Sequence, residues 1–238
     1  ALDQWPVAAV MVMPNFGNPL GHCASDERKQ ALVELCEARH VPLIEDDVYG
    51  DLSFEAPRPW AAKAYENSGG VLYCGSFSKT LSPGLRLGWA VPGRFHDRLE
   101  YLKYAYSAAS PAWPGFAVTD FLERGGYDRY LRRVRSDYAR AVEAMRRAVA
   151  RYFPSGTRTT RPVGGFVLWV ELPESVDAIH LYRRALTERI SIAPGPMFSP
   201  TGRFQRCIRL NCAQPRDARL ERALARLGEL AGDLASGA

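Results

Sequence analysis

The chain has 238 residues, 47% of them hydrophobic, enough for one large domain or two modest ones and too apolar for an intrinsically disordered chain. Its net charge of +5 allows acidic partners without demanding them. No apolar run approaches the roughly 18 residues of a membrane span, and no charged, apolar, small-residue leader opens the chain, so a soluble protein is expected.

In chain order, the apolar run at 7–13 predicts a strand that ends in the turn chemistry of PNFGNPLG. Ser25, followed by Asp26 and Glu27, predicts a helix N-cap with acid in the first turn and a helix through about residue 39. Strands follow at 41–47, 70–77 and 85–92. Apolar strands alternating with helical or loop segments argue for an α/β sheet buried on both faces. After Pro114 the character changes. Tyr127, Leu131, Val134, Tyr138, Val142, Met145 and Val149 recur every three or four residues, an amphipathic helix to about residue 151 with its arginines outward. Those arginines read either as a solvated face or as a nucleic-acid surface, and no nucleic-acid module signature accompanies them. Strands at 164–172 and 207–213 with helices at 175–190 and 215–230 suggest a smaller α+β domain. Gly125–Gly126 is the expected boundary, giving domains 1–126 and 127–238.

The five cysteines are odd in number and lack a C-x-x-C spacing, which points to reduced thiols and a cytoplasmic setting. The four histidines are scattered, so no metal site is expected.

Four places could carry chemistry. Lys79 lies just past a strand, among Gly75, Ser76, Ser78, Thr80 and Ser82, with Arg86 following. A lysine there is costly unless paired, solvated or used covalently. Hydroxyls with an arginine make a phosphate cup, and an amine beside such a cup suggests a Schiff base with pyridoxal phosphate; the alternative is a surface loop with one lysine. Asp46 ends an apolar strand, where a protonated pyridine nitrogen would be a natural partner, and Tyr49 could reach the ring's phenolic oxygen. Glu45 and Asp47 flank Asp46 and point to the opposite face; all three could equally be an ordinary acidic strand end. Asn18 precedes Pro19 at a sharp turn between Gly17 and Gly21, suited to ligand approach or simply to a turn. Arg209, mid-strand, wants a carboxylate, either a substrate's or an internal one. Asn18, Asp46 and Lys79 follow successive strands, and ligands of open α/β sheets bind at the strands' carboxyl ends.

Taken in order, N-P-L-G, E-D-D-x-Y, S-F-S-K-T-L-S-P-G-L-R-L-G-W, V-G-G-F and I-R-L-N resemble the class I, fold-type I pyridoxal-phosphate aminotransferases over nearly the whole chain. The resemblance implies a mostly parallel sheet with helices on both faces, a smaller C-terminal α+β domain, and amino-group transfer between an amino acid and a 2-oxo acid. It implies that Lys79 forms the internal aldimine and moves the substrate proton, and that Asp46 pairs with the ring nitrogen. Tyr49 and Asn18 would bind the ring hydroxyl, Ser76, Ser78 and Arg86 the phosphate, and Arg209 the substrate α-carboxylate. PNFGNPLG, PLIEDDVYGDL and FLERGGYDRYLRRVR are similar, more narrowly, to the aminotransferase-like domain of MocR-type regulators of the GntR family. That likeness implies an alternative role as an amino-acid sensor controlling an attached winged-helix DNA-binding domain. In the family a further N-terminal segment supplies a phosphate loop, a ring-stacking aromatic and the first strands, and the site is built across a homodimer.

Overall fold

A computed structural model describes residues 2–215 and 217–237. They form two compact units: one runs to Gly17 and then from Cys23 to Arg135, and the other holds Asn18–His22 and the described residues from Ser136 onward.

The first unit is built on a four-stranded sheet. Strands β1 (Val10–Val12), β2 (Leu43–Asp46) and β3 (Val71–Ser76) are parallel neighbours, with Val10 opposite Leu43 and Leu43 opposite Val71. Strand β4 (Gly88–Val91) closes the order β1-β2-β3-β4 and runs antiparallel to β3. Between β1 and β2 comes α1 (Asp26–Ala38), which begins where the sequence predicts: Ser25 Oγ accepts from the Arg28 N–H at 3.4 Å. Val33 and Cys36 of α1 pack on Leu43, Ala62 and Val71, all at most 2% exposed. Burying one such valine or leucine contributes roughly 1.5–3 kcal/mol against about 1 kcal/mol for a serine cap, so packing more than capping holds this helix on the sheet.

The expectation of a sheet covered on both faces holds best for β2 and fails at β4. All four residues of β4, the last strand of its sheet, are exposed, including Trp89 and Val91. Two helices absent from the sequence reading follow, α2 (His96–Ser107) and α3 (Ala112–Glu123). Neither start has a side-chain cap, and Tyr101, Tyr104, Tyr106, Trp113 and Phe116 face outward, so no inward apolar stripe announces them. Helix α4 (Gly126–Tyr152) follows, and the division between units falls within it, after Arg135. Its predicted stripe is buried at Leu131, Val134, Val142, Met145 and Val149.

The second unit carries an antiparallel sheet in the order β5-β6-β8-β7, from β5 (Arg158–Thr159), β6 (Val167–Glu171), β7 (Ala193–Pro194) and β8 (Cys207–Asn211). Helices α5 (Ala178–Thr187) and α6 (Ala218–Ser236) are capped by Asp177 and Asp217, whose carboxylates accept from the His180 and Leu220 N–H groups at 2.7 and 2.8 Å. Leu168, Val170, Ile208, Leu181, Leu224, Leu227 and Leu230 are buried here.

Candidate active site

The end of β2 carries three consecutive acids. Glu45 is fully buried, and its carboxylate oxygens accept from the Ala62 and Lys63 N–H groups at 2.7 and 2.8 Å, capping the short 3-10 turn Ala62–Tyr65. Asp47 is buried too. Its Oδ1 accepts from Asn15 Nδ2 at 2.9 Å, and its Oδ2 from the Tyr73 hydroxyl at 3.0 Å and from Arg58. Asp46, between them, is half-buried. Its one hydrogen bond among the described residues is accepted from the Val48 N–H at 3.3 Å. Burial pushes the Asp46 carboxyl above its ordinary value and the Asp47 charge pushes it further, while the Val48 N–H and the Lys79 charge pull it back.

Lys79 follows β3, the parallel neighbour of β2 in which Cys74 pairs with Asp46. It sits in a turn beyond β3 in which the Leu81 and Ser82 N–H groups donate to the Phe77 carbonyl at 2.8 and 3.1 Å. The amine is half-buried, has no carboxylate within ion-pair distance among the described residues, and lies 6.0 Å from the centroid of the buried Tyr49 ring. Tyr49 leads into the 3-10 turn Gly50–Leu52. Ser76 closes β3, and its hydroxyl donates to Ser78 Oγ at 2.9 Å while accepting from the Ser78 N–H at 3.0 Å. Ser82 caps the next turn, Pro83–Leu85, which is followed by Arg86 in the left-handed region at φ +49°. A non-glycine residue held there costs about 1–2 kcal/mol. Arg86 is exposed and forms no ion pair among the described residues.

Asn18 and Arg209 lie in the second unit and meet: Arg209 Nη1 donates to Asn18 Oδ1 at 3.0 Å. Arg209 is central in β8, opposite Trp169 and Ala193, with its guanidinium carbon 5.5 Å from the Phe198 ring centroid. Its Nε is buried without a hydrogen-bond partner, and no carboxylate pairs with it among the described residues. The bond to Asn18 leaves the amide NH2 of Asn18 as a donor. The turn that carries Asn18 depends on Gly21, at φ +66°, where a Cβ would lie 2.9 Å from Pro162 Cγ.

Sequence reasoning placed Glu45 and Asp47 on the far face from Asp46 but missed their partners. Arg58 bridges Asp47 and Asp51, and its proline-rich surroundings gave no sign of it. Asn15 is wholly buried between Asp47 and the Trp60 carbonyl, again without a sequence signal.

A parallel sheet with one antiparallel strand, an aspartate at one strand end and a lysine past the next, defines an α/β protein of the fold-type I pyridoxal-phosphate transferases. A crystal structure of the α-aminoadipate aminotransferase LysN from Thermus thermophilus, complexed with N-(5′-phosphopyridoxyl)-L-leucine, superimposes with a TM-score of 0.89 at 32% identity, covering 97% of this chain and 60% of that one. The chain belongs to the aminotransferase class I and II family, whose model matches residues 1–227. It is 42% identical to the HTH-type transcriptional regulator YjiR of Escherichia coli over 96% of this chain and 49% of that protein. It is also 36% identical to the 2-aminoadipate transaminase of Thermus thermophilus, over 85% of this chain and 52% of that enzyme. The chain thus spans about half the length of these relatives.

Proposed function

We propose that this chain holds pyridoxal 5′-phosphate through Lys79 and serves amino-group transfer between an amino acid and a 2-oxo acid. The observation that carries the reading is the Lys79 amine 6.0 Å from the centroid of the Tyr49 ring, with Asp46 at the end of β2 and Lys79 just past the end of its parallel neighbour β3.

The donor chemistry fits the cofactor. Asp46 holds one weak hydrogen bond and is spare for a cationic ring nitrogen, unlike Glu45 and Asp47. Tyr49 lies beside the lysine and is assigned to the ring hydroxyl, along with the Asn18 amide. Ser76, Ser78 and Arg86 are two hydroxyls and a guanidinium suited to a phosphate, and the left-handed backbone at Arg86 is the kind of local strain kept at ligand sites. When bound, the cofactor supplies an electron sink for the charge left at the amino acid's α-carbon. Asp46 keeps the ring nitrogen protonated. Lys79 Nζ is the covalent anchor and the base that takes the α-proton. Arg209, with its unpartnered Nε, grips the substrate carboxylate, and Asn18 steadies that guanidinium. In this reading residues 1–126 belong to the cofactor-binding large domain and 127–238 to the small domain, in a cytoplasmic homodimer.

The test is an absorbance titration with pyridoxal phosphate. A saturable visible band that falls on adding amino acids supports the proposal; no band overturns it. A second reading is favoured by the 42% identity to a helix-turn-helix regulator that is about twice as long. In it the same pocket senses the amino acid and an attached winged-helix domain binds DNA. Ligand-dependent operator binding without turnover, in a protein carrying both parts, would select that reading.

A further inference from the structure

The ion cluster at Asp47, Arg58 and Asp51 takes no part in the roles above, yet it lies directly behind two residues that do. Arg58 donates through Nη2 to Asp47 and through Nη1 to Asp51 Oδ1 at 2.7 Å. One guanidinium therefore ties both ends of the turn that contains Tyr49. The turn is folded tightly over this pair: a Cβ at Gly50 would lie 2.3 Å from Arg58 Nη2 and 2.4 Å from Asp47 Oδ1. Asn15 and Tyr73 saturate the rest of the Asp47 carboxylate. On the far side, Asp51 Oδ2 accepts from the Tyr127 hydroxyl at 3.0 Å, and the Asp51 carbonyl from Arg135 Nε at 2.7 Å. The Tyr127 ring stands edge-on to Phe77 at 5.9 Å, and Phe77 is the residue whose carbonyl closes the Lys79 turn. A single connected set of contacts thus runs from the Asp46–Tyr49 turn to the Lys79 turn.

Asp46 cannot fix its own position with one 3.3 Å hydrogen bond. Its backbone neighbours must do so. Buried ion pairs are weak devices for stability but good ones for geometry, above all when an arginine fork spans two carboxylates. We propose that Asp47 and Arg58 are positioning residues: their ion pair, extended through Asp51 and Tyr127, sets where Asp46 and Tyr49 stand relative to Lys79. The proposal rests on the pyridoxal phosphate reading of the site.

The experiment compares the full chain with Arg58→Met, Arg58→Lys and Asp51→Asn, reading backbone hydrogen exchange over residues 47–52 and the Kd for pyridoxal phosphate. Val33→Ala, a core truncation on α1, is the control for general loss of stability. Arg58→Met is expected to speed exchange in 47–52 and weaken cofactor binding, each by about tenfold. Arg58→Lys, which keeps the charge and loses the fork, recovers part of both. Should Arg58→Met fail to fold, Asp51→Asn leaves the Asp47–Arg58 pair in place and shifts both readouts the same way by about threefold. The control lowers Tm and leaves both readouts within about twofold. A folded Arg58→Met protein, or Asp51→Asn in its place, with unchanged exchange in 47–52 or unchanged cofactor affinity overturns the proposal. If the unaltered chain takes up no pyridoxal phosphate, the reading of the site fails instead, and local exchange at 47–52 alone decides whether the ion pair fixes the turn.

Discussion

Asp46 and its two neighbours share a strand end and a side-chain chemistry, and they meet opposite fates. On one face, Glu45 accepts from two backbone N–H groups and Asp47 from an amide, a phenol and a guanidinium, so their oxygens are hydrogen-bonded. On the other face Asp46 has a single long bond and the influence of a lysine. An unanswered polar group in a half-buried place is costly to a fold, and proteins keep such groups where a ligand will answer them. In the proposed reading the saturated face is structure and the unsaturated one chemistry.

Substitutions sharpen that contrast, beginning with the largest effect. Lys79→Ala should lower amino-group transfer by about 10⁴-fold, measured as single-turnover conversion of an amino acid, while the urea midpoint stays near that of the parent. Asp46→Ala should weaken cofactor affinity by about 100-fold in an absorbance titration. Equal affinity in the two proteins would show that this carboxylate was assigned wrongly. Glu45→Ala should behave in the reverse manner, with cofactor affinity kept within about twofold and stability reduced by about 2–3 kcal/mol in urea unfolding, because the Ala62 and Lys63 N–H groups lose their acceptor.

The smallest effect is in pH dependence, where two carboxyls work in opposite directions. Glu37 accepts from the Asn67 and Ser68 N–H groups and the Ser68 hydroxyl, which hold its carboxyl below the ordinary 4.5. Its contribution to stability is present above 4.5 and is lost as pH falls through the lowered value. Burial and Asp47 hold Asp46 above the ordinary 3.8, so its contribution is present below 3.8 and is lost as pH rises through the raised value. Unfolding midpoints across the acid range should show Glu37→Gln converging on the parent in acid. Asp46→Asn should instead gain on the parent as pH rises, and parallel curves for all three would contradict both assignments.

Much of this was legible in the chain itself. Ser25 followed by two acids marks the start of α1, the seven apolar positions of α4 mark its buried stripe, and the order of motifs around Asn18, Asp46 and Lys79 marks the family. What stayed hidden depends on contacts between distant residues. Nothing in APRPW says that Arg58 will join Asp47 to Asp51, and a sequence window cannot show that Asn15 is sealed beneath Trp60. Helices α2 and α3 escaped because their large side chains point outward, which removes the periodic signal by which amphipathic helices are read.

The central claim is that one amine, among the lysines at 29, 63, 79 and 103, is the covalent seat of the cofactor. Borohydride reduction of the chain mixed with pyridoxal phosphate, followed by digestion and peptide mass analysis, puts that to the question. The account predicts the reduced pyridoxyl group on the peptide containing Lys79 and on no other; a label on Lys29, Lys63 or Lys103 alone, or no label at all, contradicts it.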